Sequence, residues 1–407
     1  MFAPSKKTRL LKAEFGDGAL TPKAALAVEL GLRPRILLSA VLLLCSASAL
    51  AAPEANKKFV DVWSRMDELH AARGVRKPAE PRELKRVDTP AALGKLLDEF
   101  LDAHPNTGLM VLKGDTVLAE RYQYDRTAQH RFASASVAKT VLGMLVGIAV
   151  HEGKLSLDQR ADQYVTQLRG HPYGGVPVRH LLTMSSGIVF KETYVGRDDG
   201  WKLIDNTIGR RTEGGHHTVL QFKQRDVPPG TKFRYASADS QVLGLVLISA
   251  VKKPLADYLS EKIWQPMGAE SNATWLLDKG GYEAAYCCLN ATLRDFARFG
   301  VLLANYGALD GKQIIPEEWV KAAITPSAPH LAVGTATPNN GYGYQTWITH
   351  PTEPRFAALG IHGQAIYVNP VSKLVVVHTA AWNDPADRKE RGAQFKLLEA
   401  IMKLETQ

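Results

Sequence analysis

The chain of 407 residues has three cysteines, no internal repeat and no low-complexity block. Without a 20–50-residue period it is not a solenoid or propeller. It has no His-Glu-x-x-His and no cysteine spacing suited to zinc, which excludes the common zinc sites. It has no Gly-rich phosphate loop ending in Lys-Ser/Thr. It also lacks a Gly-x-Ser-x-Gly elbow, so an esterase of the α/β-hydrolase type is excluded. The formal net charge is +9, but basic residues beyond Ala52 are scattered among acids. No basic run suits a nucleic-acid backbone, so nucleic-acid partners are excluded. Cys287 and Cys288 are neighbours that a strand would point to opposite faces. They read as two buried thiols, in a fold held by its core rather than by disulfides. His216–His217 and Asp198–Asp199 read as exposed, solvated loop residues rather than metal ligands.

What is present begins with a leader. Residues 1–35 are basic and are followed by the apolar run Ile36–Cys45, then by small residues around Ala49–Ala51. A basic region, a short apolar core and an Ala-x-Ala-like site form a secretory signal over residues 1–52, cleaved near Ala51 or Ala52. The alternatives are an uncleaved anchor or lipid attachment at Cys45; the run falls short of the roughly 20 residues of a membrane span. The expected location is periplasmic or secreted, with no stable membrane span after cleavage.

Further on, Lys57–Gly74 reads as a helix with a polar tail. Thr107–Tyr124 reads as two strands around a tight turn at Lys113–Asp115. An apolar helix runs from Ser136 to about His151, and a mostly helical region fills 155–290. An amphipathic helix includes Leu293, Phe296, Phe299 and Leu302. Gly363–Ala380 reads as a second hairpin turning at Asn369–Pro370, and a last amphipathic helix carries Phe395, Leu398 and Ile401. Strands at both ends and helices between them imply one sheet built from residues 53–154 and 291–407, with 155–290 inserted. The fold class is α/β (α+β).

The stretch "SASVAKT" (Ser134–Thr140) carries the chemistry. On a helix, residues three apart share a face and residues five apart do not, so Lys139 serves Ser136 rather than Ser134. A serine hydroxyl needs a base to become a nucleophile. Burial disfavours a charged ammonium and turns lysine into such a base. Ser-x-x-Lys also arises by chance, with the lysine reaching to water. About a hundred residues later Tyr235 and Ser237 form a Tyr-x-Ser before an apolar helix. A tyrosine there can hold a phenolate beside a cationic lysine, relay a proton to a leaving group, or simply pack in the core.

With "SVAK", "PGTKFRYAS" and the Gly-rich "AALGIHGQAIYV" in this order, the chain resembles the serine β-lactamase and penicillin-binding superfamily over about residues 90–405. The nearest branches are class C β-lactamases, DD-peptidases, family VIII carboxylesterases and 6-aminohexanoate-dimer hydrolases. The resemblance implies a β-lactamase/transpeptidase-like fold and catalysis by Ser136, Lys139 and Tyr235. It implies an oxyanion hole from the amides of Ser136 and Ile361, and no metal or organic cofactor. Gly360 falls in the third motif, and Tyr194 is a candidate substrate contact. Two positions depart from the lactamase pattern: Ser237 stands where asparagine is usual, and Ala358 where a cation is usual. Both departures weaken recognition of a β-lactam carboxylate. His362 is then either a shifted replacement for that cation or a rim residue. The implied function is hydrolysis of a small ester or amide through an acyl-enzyme. The alternatives are β-lactamase or DD-peptidase activity, and a non-catalytic sensor of the same fold.

Overall fold

The computed structural model describes residues 57–210 and 213–404. The leader lies outside them, and no helix among the described residues is long and apolar enough to cross a membrane.

The two hairpins expected from the sequence form and then pair with each other. Asn106–Lys113 and Thr116–Tyr122 turn at Gly114, where φ is +60°. Ala365–Asn369 and Leu374–Ala380 form the other hairpin, and Leu374–Ala380 lies antiparallel to Asn106–Lys113, with His378 opposite Leu109. The resulting sheet has eight strands. It continues through Phe356–Leu359, Trp347–Ile348 and Gly341–Tyr342 on one side and ends at Lys85–Arg86 on the other.

Side chains alternate across a strand, and the sheet uses both faces. Leu109 and Val111 pack under helices Ala91–Ala103 and Arg388–Leu404, against Leu97 and Leu397. Met110 and Leu112 point into the larger core, which includes Phe296 and Phe299 of helix Leu293–Ala304. A strand flanked on both faces is buried throughout, as the run from Asn106 to Leu112 is.

The mostly helical stretch between the hairpins also contributes to a four-stranded sheet of Ala72–Val75, Ala273–Leu276, Leu289–Thr292 and Arg131–Ala133. This sheet explains two departures from expectation. Lys57–Gly74 is not one helix but Lys57–Trp63, Met66–Leu69 and the start of a strand. The Ser64 hydroxyl bonds back to the Val60 carbonyl, the backbone breaks at Arg65, and pairing with Ala273–Leu276 draws Ala72–Val75 into the sheet. Cys287 and Cys288 are not free thiols: they are joined by a disulfide. The expectation assumed a strand, but the pair sits in the turn before Leu289, with Cys288 at φ +73°.

Helix Val137–His151 runs through the core and is buried from Val137 to Ala149. A helix that is apolar on every side belongs at the centre of a protein. Gly147 admits the Trp319 ring: a Cβ there would lie 2.3 Å from three of its atoms. The Trp319 indole donates to the Gly143 carbonyl at 3.0 Å.

Gly147→Val should therefore overpack this contact and cost about 1–3 kcal/mol. Gly392→Ala, in a helix where a Cβ meets nothing within 4 Å, should gain up to about 1 kcal/mol. Urea unfolding of both variants checks the contrast: the midpoint should fall for the first and rise for the second.

Candidate active site

Strand Arg131–Ala133 delivers the chain to the site. Ser134 continues its pairing: its amide donates to the Leu289 carbonyl at 2.8 Å, and its hydroxyl accepts from the Leu289 amide at 3.1 Å. That hydroxyl also donates to the Ala135 carbonyl, so Ser134 is occupied structurally. Ala135 is held at φ +44°, a conformation that non-glycine residues seldom adopt. The tight turn sets Ser136 at the start of the buried helix, one turn before Lys139.

Lys139 is 1% exposed. Its ammonium donates to Ser136 Oγ at 2.9 Å, to Ser237 Oγ at 3.0 Å and to the Tyr286 carbonyl at 2.8 Å. Three donors thus meet three acceptors. Burial lowers its pKa to about 8, while the Glu192 carboxylate pulls it the other way. Lys139 Nζ also lies 5.0 Å from the centre of the Tyr235 ring, and the Tyr235 hydroxyl is hydrogen-bonded to Ser136. Burial, and then the charge of Glu192, push the phenol well above its ordinary pKa, against the Ser136 bond. Of the two protonation states considered for Tyr235, this favours the neutral phenol, a proton donor. Its ring stacks on Trp347 at 5.2 Å.

Ile361 reaches the same place from the end of Phe356–Leu359, an inner strand of the large sheet. A Cβ on Gly360 would lie 2.7 Å from the Ser134 carbonyl oxygen and 2.9 Å from Ala135 Cβ. Only glycine lets the strand end press against the turn at Ser134 and Ala135 this closely. The amides of Ser136 and Ile361 donate to no other group among the described residues.

Glu192 was not picked out from the sequence. One of its oxygens accepts from the Ser237 hydroxyl at 2.7 Å and from the Tyr194 hydroxyl at 3.0 Å. The other accepts from the Ser237 amide at 2.7 Å. A carboxylate at the first residue of helix Ser237–Val251 satisfies a free amide and suits the positive end of the helix. The usable signal was an acid two residues before Tyr194 in one loop. Gln345 was also missed. It accepts from Thr140 and Ser240 and donates to the Leu181 and Leu182 carbonyls, tying both site helices to a third segment.

Two residues differ from expectation, and for a third, His362, two readings stand open. Asp198 is buried rather than solvated: it caps helix Asp199–Ile204 through the Trp201 amide and binds the amides of Thr193 and Tyr194. His216 is half-buried against Asp278 at 2.7 Å, while His217 is exposed. His362 is buried, its Nδ1 lies 2.5 Å from the Trp382 carbonyl, and burial lowers its pKa. It is therefore neutral and does not replace the cation missing at Ala358.

A cavity of about 320 Å³ opens onto part of this site; Lys139, Tyr235 and Gly360 are not among its lining residues. Ser136, Tyr194, Ser237, Ile361 and His362 line it, with Trp63 and the Cys287–Cys288 pair among its walls. A larger cavity, of about 520 Å³, is lined in part by Arg73 and Glu283, which are paired with each other; it includes neither Ser136 nor Lys139.

The Beta-lactamase family profile matches residues 93–400. The chain is 29% identical over 348 residues to a 6-aminohexanoate-dimer hydrolase of Paenarthrobacter ureafaciens, covering 83% of this chain and 88% of that protein. It is 29% identical over 149 residues to Esterase EstB of Burkholderia gladioli, covering 34% of this chain and 36% of that one. A solved Bacillus anthracis structure, whose name proposes a 6-aminohexanoate-dimer hydrolase, superposes with a TM-score of 0.77 at 25% identity. It covers 88% of this chain and 97% of its own.

The charge of Glu192 opposes the effect of burial on Lys139. Glu192→Gln should therefore lower the Lys139 pKa below about 8. Titration of ¹³Cε-labelled lysine by NMR checks this, and a pKa that rises or stays put contradicts the assignment.

Proposed function

The chain belongs to the beta-lactamase family of serine hydrolases, and we propose that it is an exported enzyme that cleaves a small ester or linear amide through an acyl-enzyme on Ser136. The observation that carries this reading is the buried Lys139 ammonium bonded to Ser136 Oγ at 2.9 Å, with its pKa brought down to about 8. At pH 7 about a tenth of such a lysine is neutral and able to take a proton.

Ser136 Oγ attacks the carbonyl carbon as Lys139 takes the hydroxyl proton. The negative charge that forms on the carbonyl oxygen meets the amides of Ser136 and Ile361, and one such donor is worth about 2.7–4 kcal/mol. Tyr235, a neutral phenol, gives its proton to the departing nitrogen or oxygen and is restored from the Lys139 ammonium. Water then attacks the acyl-enzyme, with the same groups removing its proton and returning one to Ser136 Oγ. No step requires a cofactor.

The preference for esters and linear amides over β-lactams rests on the residues around this centre. Ala358 and the neutral His362 offer no positive charge where a lactam carboxylate would lie. Ser237 is already engaged by Glu192 and Lys139. The relative whose name specifies 6-aminohexanoate-dimer hydrolysis supports a linear amide substrate. Export rests on the leader of residues 1–52, and N-terminal sequencing of secreted protein should find cleavage near Ala51 or Ala52.

A fluorophosphonate probe should label the wild type and not Ser136→Ala; labelling of the variant would assign the nucleophile wrongly. Tyr235→Phe should lower kcat about 10²–10⁴-fold. kcat/KM should rise as pH increases through about 8, because the base is the deprotonated lysine. A profile flat from pH 6 to 9 would remove Lys139 from that role. Turnover of a chromogenic cephalosporin on a par with short esters would favour the lactamase reading instead.

A further inference from the structure

His362 faces the cavity with a tautomer that can be read from its partners. Its amide donates to the Pro385 carbonyl at 3.0 Å, and its backbone sits at φ +56°. Its Nδ1 lies 2.5 Å from the Trp382 carbonyl oxygen. A carbonyl oxygen only accepts, so Nδ1 carries the hydrogen. In a neutral imidazole the other nitrogen is then a bare acceptor. Burial, the larger influence, keeps the ring neutral against the pull of Trp382 and Asp384 toward protonation. The ring is held between Phe59, at 5.6 Å, and Trp63, at 4.7 Å. Nε2 has no hydrogen-bond partner among the described residues.

Both carboxylates on the cavity wall are committed. Both oxygens of Glu192 are taken by Ser237, and one also by Tyr194. One oxygen of Asp198 is taken by the amides of Thr193 and Tyr194, and the other by the Trp201 amide of the helix that it caps. No lysine or arginine lines the cavity among the described residues. Arg197 and Arg210 lie over the Trp201 ring, and Arg210 is paired with Asp205. The wall therefore combines two carboxylates with an open imidazole acceptor directly after the amide of Ile361. That combination suits a hydrogen-bond donor or an ammonium and disfavours a carboxylate.

We propose that His362 is a specificity-determining residue whose Nε2 accepts a hydrogen bond from an N–H or O–H group at the end of the substrate's acyl chain, selecting esters and amides whose acyl chain ends in an ammonium or hydroxyl over those whose acyl chain ends in a carboxylate. The proposal rests on the acyl-enzyme reading of Ser136 and adds the polarity of the substrate to it.

The test uses p-nitrophenyl esters of four- and six-carbon acids ending in ammonium, methyl or carboxylate, with p-nitrophenyl acetate as the end-group-free control. For the wild type, kcat/KM should fall in the order ammonium, methyl, carboxylate, with at least tenfold between the extremes. Asn places a donor where Nδ1 stands and tolerates positive φ, but it has no acceptor at the position of Nε2. His362→Asn should therefore cut the ammonium-to-methyl ratio about tenfold, whatever happens to the absolute rates. His362→Gln, which can return an oxygen to the position of Nε2, should restore part of the ratio. An equal fall for all three end groups would mean a purely structural role and would overturn the proposal. So would an unchanged ratio in His362→Asn, or a wild type that prefers the carboxylate. Acetate hydrolysis separates the two readings. If it is absent, or survives in Ser136→Ala, the acyl-enzyme reading fails. If it is normal but the end-group ratio is flat, only the role of His362 fails.

Discussion

A single ammonium group with three acceptors organises this site. Lys139 could not remain at 1% exposure without partners, because a buried charge with unmet donors is costly. Its partners come from three places in the chain: Ser136 one turn earlier, Ser237 at the head of another helix, and the Tyr286 carbonyl in the turn before a strand. Satisfying the lysine therefore fixes these segments relative to one another. Glu192 completes the arrangement from outside, capping the second helix and opposing the loss of the proton from Lys139. The same contacts that make the lysine tolerable in the core hold it against Ser136 Oγ.

Much of this was legible in the sequence because it rests on short-range geometry. Helical spacing alone separated Ser136 from Ser134, and the structure gives Ser134 a different task, in the pairing with Leu289. The two hairpins were readable from alternation and turn residues, and their union into one sheet from their positions at opposite ends of the chain. The family resemblance supplied Ile361, and Gly360 acquires a physical reason in its approach to the Ser134 carbonyl.

What was not legible depends on partners distant in sequence. Glu192 is an ordinary loop acid until Ser237 arrives 45 residues later. The polarity of His362 follows from the Trp382 carbonyl, which no local pattern around residue 362 announces. The broken helix after Lys57 reflects a strand partner about 200 residues away, which overrides local helical preference. The adjacent cysteines were misread because alternation along a strand does not apply in a turn with a residue at positive φ.

The central pairing of Asn106–Lys113 with Leu374–Ala380 has a consequence for biosynthesis. The ribosome releases Ser136 and Lys139 more than two hundred residues before the strand that leads to Ile361. A nascent chain thus carries Ser136 for most of translation without the segment that seats Ile361 beside it, and the site is complete only when the final strands pair with the first hairpin.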